Sequence, residues 1–279
     1  MTATPMRYPS RESPTATELE AGRELIESEA LRHEAGATML PFDGGVIAIT
    51  SGDDGRTLDA VVQRVRLAAI HSTIDEWLEN IRQRLASLGA PDARILLAAS
   101  VYHIEAALRH HGYAPRSLHA LVAPTSEPAG PPISAQEDLS AFIGHRFVLQ
   151  AVADDQDWSD LAALQAGTGP ASVVELMRRK VEAGFLHPYL AWHEDRLCGT
   201  FSVAPAGRVL RLDHVAAAPP QAIGERGLHL AVLRAALTLA AEGGWAYVGS
   251  LLAGDAPLLP VYRQAGFIPV GRLTEWERQ

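Results

Sequence analysis

The residues best able to do chemistry lie in the last third of the chain. Asp213 and His214 are consecutive within the apolar stretch Val209–Ala217. They offer a carboxylate and an imidazole as proton acceptors, and the imidazole is the better match to neutral pH. The stretch reads as a strand, where neighbours point to opposite faces, so only one of the two is expected to face a given site. Further on, Gly224 and Gly227 precede a long apolar run. A turn that opens a helix leaves its first backbone N–H groups without partners and adds the positive end of the helix dipole. Such a turn suits a pyrophosphate, and glycine lets the phosphates approach the backbone closely.

Other reactive residue types carry less. His103, His110 and His111 are joined by no cysteine or second histidine pair at ligand spacing, which speaks against zinc, and no metal is expected. Ser250 lacks the Gly-x-Ser-x-Gly elbow of a hydrolase. Cys198, the one cysteine, reads as a small buried strand residue. Arg178-Arg179-Lys180 reads as a solvated helix face, the alternative being the border of a ligand mouth.

These residues need a scaffold, and the composition is that of a globular one. The 279 residues include 47% hydrophobic and 20% charged side chains. The net charge of −9 argues against nucleic acid and against an anionic membrane surface. It favours a cationic acceptor only weakly. A single cysteine allows no disulfide within the chain, and a reducing cytoplasm is the expected compartment. The N-terminus has no apolar signal-peptide region, and Leu228–Ala241 is too short to span a bilayer.

Elements follow from periodicity and punctuation. Residues 1–16 read as a loose tail, followed by a helix from Leu19 to Arg32. Strands are expected at Val46–Ile49, Val61–Ala69, Ile95–Ala99 and Leu118–Val122. Between them lies a helix with Ile74, Trp77, Leu78, Ile81, Leu85 and Leu88 on one face. It is opened by two overlapping capping boxes, Ser72 with Asp75 and Thr73 with Glu76. A second helix, Ile104–His111, stops at Gly112. The four prolines of residues 124–132 mark a linker. Beyond it come a strand at Phe147–Ala153, helices at Asp157–Leu164 and Ser172–Ala183, and a hairpin of Tyr189–His193 with Leu197–Val203. Then follow a strand at Val209–Ala217, a helix at Leu228–Glu242, a strand at Tyr247–Leu252, a helix at Leu258–Gln264 and a strand at Phe267–Trp276.

The two runs look duplicated. Leu108-Arg109-His110-His111-Gly112-Tyr113 parallels Tyr262-Arg263-Gln264-Ala265-Gly266-Phe267, offset by 266 − 112 = 154. Gly45 and Gly199 share that offset, 199 − 45 = 154. A tandem duplication is expected, the alternative being two unrelated α/β segments. The limits are residues 17–123 for the first unit, 124–133 for the linker and 134–279 for the second.

The second run resembles the GNAT superfamily of acyl-CoA-dependent N-acyltransferases. The likeness rests on Asp195-Arg196-Leu197-Cys198-Gly199-Thr200, on Val215-Ala216-Ala217-Ala218-Pro219 leading to Glu225-Arg226-Gly227-Leu228-His229, and on Val261-Tyr262-Arg263-Gln264-Ala265-Gly266-Phe267. The whole chain is similar to tandem-GNAT proteins, with a degenerate first copy. The implied fold is α/β: two tandem units, each with a mixed sheet flanked by helices. The implied reaction moves an acetyl group from acetyl-CoA, the co-substrate, to a small-molecule amine by direct attack in a ternary complex. The resemblance makes Tyr262 the acid that protonates the leaving thiolate, and it puts Val215, Ala216 and Ala217 beside the thioester arm. His214 or Asp213 is the base. The family's phosphate loop fits two registers, beginning at Gln221 or at Gly224. The second is preferred and puts the pyrophosphate on Gly224, Glu225, Arg226, Gly227, Leu228 and His229. Asp255 binds the cofactor or, more in keeping with its place, caps the last helix. In the first unit Ile70–Asp75 and Leu108 replace the loop and the tyrosine, so one acetyl-CoA per chain is expected, bound by the second unit on its own. Two alternatives stay open: a different acyl donor or reaction on the same fold, and a non-catalytic acyl-CoA sensor. A homodimer is open as well.

Overall fold

The computed structural model describes residues 13–66, 69–70, 72–90, 93–97, 102–125, 148–165, 172–193, 195–218 and 225–278. Most of the expected tail, most of the linker and Gly224 lie outside the described residues.

The first run comprises α1 (Ala16–Glu34), β1 (Thr38–Phe42), β2 (Gly45–Ser51), β3 (Thr57–Gln63), α2 (Ile74–Ser87), β4 (Arg94–Leu97), α3 (Tyr102–His110) and β5 (Tyr113–Pro124). The second comprises β6 (Val148–Ala151), α4 (Asp155–Gln165), α5 (Ser172–Glu182), β7 (His187–His193), β8 (Arg196–Ala206), β9 (Val209–Ala217), α6 (Glu225–Glu242), β10 (Tyr247–Ala253), α7 (Leu259–Gln264) and β11 (Ile268–Arg278). Local chemistry explains the boundaries. Thr15 with Glu18, and Thr73 with Glu76, form capping boxes at the starts of α1 and α2. Gly112 and Gly266, at φ +82° and +93°, turn the chain out of α3 and α7. α2 buries Trp77, Leu78, Ile81 and Leu85, as its spacing predicts.

The strands form one mixed sheet in the order β1-β2-β3-β4-β11-β5-β10-β9-β8-β7-β6. The two units therefore do not keep separate sheets. Each sends its last strand into the other: β11 lies between β4 and β5, and β5 lies between β11 and β10. The exchange obeys the 154-residue offset. Leu97 pairs with Thr274, and Leu251 with Ala120; 97 + 154 = 251 and 274 − 154 = 120. A pseudo-twofold axis thus runs between the antiparallel β5 and β11. Gly45 and Gly199 do not obey it. Gly45 faces Phe42 at the β1–β2 turn, whereas Gly199 lies within β8 opposite Ala191 and Ala217. The β2–β3 turn spans residues 52–56 and the β8–β9 turn only 207–208, so the hairpins fall out of step.

Helices α2, α3, α6 and α7 cover one face of the sheet. Two apolar cores lie beneath them, one around Trp77, Ile95 and Trp276, the other around Leu121, Phe201, Leu233, Tyr262 and Phe267. Helices α1, α4 and α5 cover the other face. α1 belongs to the first unit, yet its Ala21 and Leu25 pack against Ala206 and Val209 of the second. Gly249 permits this approach, since a Cβ there would stand 2.9 Å from Leu25. Among the described residues no helix is long and apolar enough to cross a membrane.

Candidate active site

The parallel strands β9 and β10 pair only through Val209, Leu210 and Arg211 with Tyr247, Val248 and Gly249. Beyond these pairs they diverge, so Leu212–Ala217 has no ladder partner on its β10 side. Val215, Ala216 and Ala217 therefore edge a wedge. On the other side Thr200 pairs with Ala216 and Ser202 with Asp213, which leaves His214 and Val215 opposite Phe201. This is a β-bulge, and His214 takes φ +52° to make it.

The bulge overturns the expectation that Asp213 and His214 face opposite ways. Val215 packs into the core under α6, whereas Asp213 reaches Arg211 and Arg32, and His214 lines a cavity on the α1 and α5 side. Only one other non-glycine described residue has positive φ, Arg64 at +53°. Arg64 follows Val61, the partner of Arg94, by three residues, and His214 follows Leu210, the partner of Val248, by four; 94 + 154 = 248. Bends one residue out of step thus carry an imidazole in one unit and, in the other, a guanidinium paired with Glu34.

The surroundings set the protonation states. Burial, aided by the Arg32 charge, pushes His214 down to about 4, so it is neutral at pH 7. Its Nδ1 is enclosed and has no hydrogen-bond partner among the described residues. Gln165 Nε2 donates to the His214 carbonyl at 3.1 Å. Burial alone would raise the Asp213 carboxyl, but Arg211 and Arg32 outweigh it and hold Asp213 below its ordinary range. Arg211 is 1% exposed and donates from Nε to Asp213 at 2.7 Å and from Nη1 to Ser28 at 3.0 Å. Its other nitrogen bonds Glu29. The first unit's α1 thereby clamps the strand just before the bulge.

Tyr262 enters from the α6 side. It is buried against Phe267, with ring centroids 5.1 Å apart. Burial pushes its phenol up to about 12 despite a hydrogen bond with Ser250, and the nearby Asp213 charge adds to the rise. Leu108, its counterpart at offset 154, is buried in the first unit's core.

Helix α6 starts at Glu225, earlier than the preferred loop register implies. The stretch Glu225–Leu228 is its first turn, where amides lack intrahelical partners. His229, buried at the fifth position, has its amide within the helical ladder. Gly199 lets β8 and α6 close on each other; a Cβ there would meet Val232 at 2.7 Å and the Ala216 carbonyl at 2.8 Å. Asp255 is exposed in the turn after β10. It does not cap α7, whose N-cap is Leu258 without a side-chain bond.

One further sequence reading changes. Of the run Arg178-Arg179-Lys180 only Arg178 is exposed, stacked on Trp158 at 4.9 Å; Arg179 pairs with Asp53, and buried Lys180 donates to the Arg32 carbonyl. Arg32 and Arg211 were not singled out in the sequence, where nothing shows that α1 and β9 lie against each other. Cys198 is buried within β8, and burial raises its thiol. Among the described residues no three His, Cys, Asp or Glu side chains converge on a metal site.

No protein-family model and no curated protein sequence matches the chain. Solved structures do. A GCN5-related N-acetyltransferase from Kribbella flavida superposes with a TM-score of 0.62 at 16% identity, covering 92% of this chain and 95% of its own. One from Sphaerobacter thermophilus gives 0.54 at 16%, covering 95% and 94%. A tandem GNAT protein from the clavulanic acid biosynthesis pathway gives 0.53 at 15%, covering 95% and 96%. With the wedge between β9 and β10, the bulge and the exchanged last strands already in view, these likenesses show that the chain has the GNAT fold.

Proposed function

We propose that the chain is an N-acyltransferase that moves an acetyl group from acetyl-CoA to a small-molecule amine, with its one active site in the second unit. The single observation that carries this reading is the wedge: a neutral imidazole stands on one side of the diverging strands and a buried, protonated phenol on the other. The residues fit the co-substrate. The first turn of α6 offers Glu225–Leu228 amides to a pyrophosphate. The free edge at Val215–Ala217 offers N–H groups to a polarised thioester carbonyl. Acetyl-CoA would supply the activated acyl group.

The protein's own groups hold and move the protons. His214, neutral above about pH 5, accepts the proton of the incoming amine directly or through water, while Asp213 is held ionised by Arg211 and Arg32. Tyr262 keeps its proton at neutral pH and gives it to the departing sulfur. The proposed units, residues 17–123 and 134–279, then divide the work: the second carries the chemistry and the first braces it. Calorimetry with acetyl-CoA, followed by a thiol-release assay over a panel of amines, tests the reading. Binding with amine-dependent thiol release supports it; binding without release for any amine points to a sensor, and no binding removes it.

A further inference from the structure

The acceptor's chemistry is written in the cavity that His214 lines. Its volume is about 710 Å³, within the range of small-ligand sites. Both units build it: α1, β3, β4 and β5 from the first, α5, β9 and β11 from the second. The charges on its walls run against those of the chain. The protein carries −9 overall, whereas Arg32, Arg94, Arg116 and Arg278 line the cavity against Asp59 and Glu277.

These guanidinium groups are not equally engaged. Arg94 is spent on Asp59 at 2.5 Å and Glu275 at 2.6 Å. Arg116 is half exposed and meets Glu275 and Glu277 only at 3.7 Å, beyond hydrogen-bond length. Arg32 bonds Glu29 through Nη1, but its enclosed Nε has no hydrogen-bond partner among the described residues and stands 3.7 Å from Asp213. The lining presents four guanidinium groups and two carboxylates, with Glu29, Asp213 and Glu275 set behind Arg32, Arg94 and Arg116. A carboxylate would find a planar fork at Arg116 able to hold both its oxygens.

We infer that the acceptor is an amine that carries its own carboxylate, the carboxylate seated on Arg116 and the amine directed to His214. This rests on the acyltransferase reading above and adds the acceptor class to it. β10 lies between β5 and β9 and parts from β9 beyond Arg211, so Arg116 and His214 stand farther apart than the roughly 10 Å of two regular strand spacings. The spacing favours several bonds between amine and carboxylate over an α-amino acid.

The test uses the full-length protein with glycine, 4-aminobutyrate and 6-aminohexanoate, each beside its carboxamide, and with spermidine. Saturation-transfer NMR reports binding without acetyl-CoA, and thiol release reports turnover with it. The expected result is at least tenfold better binding and kcat/KM for a free carboxylate over its amide, best with the longer spacer. Arg116→Ala, with an unchanged melting temperature, should raise KM for the carboxylate at least tenfold and bring carboxylate and amide close together, and Arg116→Lys should restore part of the gap. Amides or spermidine binding as well as the carboxylates, or an undiminished preference in Arg116→Ala, would overturn the inference. Carboxylate binding that depends on Arg116 in a protein that releases no thiol would uphold this site and instead remove the acyltransferase reading.

Discussion

His214 and Tyr262 owe their states to burial rather than to dedicated partners, and that gives each a measurable signature. Tyr262→Phe removes a proton donor but little volume; we expect turnover to fall about 100-fold or more, with acetyl-CoA affinity and melting temperature nearly unchanged. An equal turnover in rapid-mixing experiments would take Tyr262 out of the mechanism. For His214 the sign follows from linkage. Its value of about 4 in the folded state lies below the roughly 6.5 of an unfolded chain. Between those values the unfolded state binds more protons, so stability is lost as pH falls through the window. Denaturation at pH 7 and pH 5 should show a smaller acid loss in His214→Asn than in the parent, because asparagine tolerates the positive φ but does not titrate there. The two histidine-bearing facts had different visibility in the sequence. Adjacent Asp213 and His214 stood out in the sequence as candidate proton acceptors. Their common face was not, because a bulge formed by a non-glycine residue leaves no mark on an apolar strand pattern.

At the scale of elements, two contacts hold the wedge open. Gly199→Ala drives a methyl into Val232 and the Ala216 carbonyl. We expect a loss of about 1–3 kcal/mol, read by chemical denaturation, together with weaker acetyl-CoA binding as α6 shifts. The α1 clamp on β9 behaves differently. Glu29→Gln leaves Arg211 buried with one charge fewer around it, which costs about 3–5 kcal/mol if the site cannot relax. A stability near the parent's would mean that Asp213 alone satisfies Arg211. Helices and their stops were readable from Thr73, Gly112 and Gly266, whose chemistry is local. The role of α5 was not, since Arg179 and Lys180 look solvated until Asp53 and the end of α1 are known to lie against them.

For the whole molecule, the expectation of one acetyl-CoA per chain stands as a prediction: calorimetry should give a stoichiometry near one, and a value near two would show that Arg64 and Leu108 do not silence the first unit. The companion expectation, that the second unit binds acetyl-CoA by itself, meets the topology. Without β5, β10 loses its neighbour along its full length, and β11 loses both of its own. We expect residues 134–279 alone to aggregate or pair with another copy, seen as a sedimentation change. The duplication was legible through Gly112 and Gly266, but strand exchange was not, because hydrophobic alternation specifies a buried face without naming the partner. The exchange also sets a clock. On the ribosome β4 and β5 emerge long before β11, the strand that belongs between them, is made. Neither unit can close its hydrogen bonds in order of synthesis; the first waits with β4 open on one side and β5 on both until β10 and β11 have left the tunnel. Exposed edges of this kind invite pairing with other chains, so slow translation of the second unit should lower the soluble yield of the first.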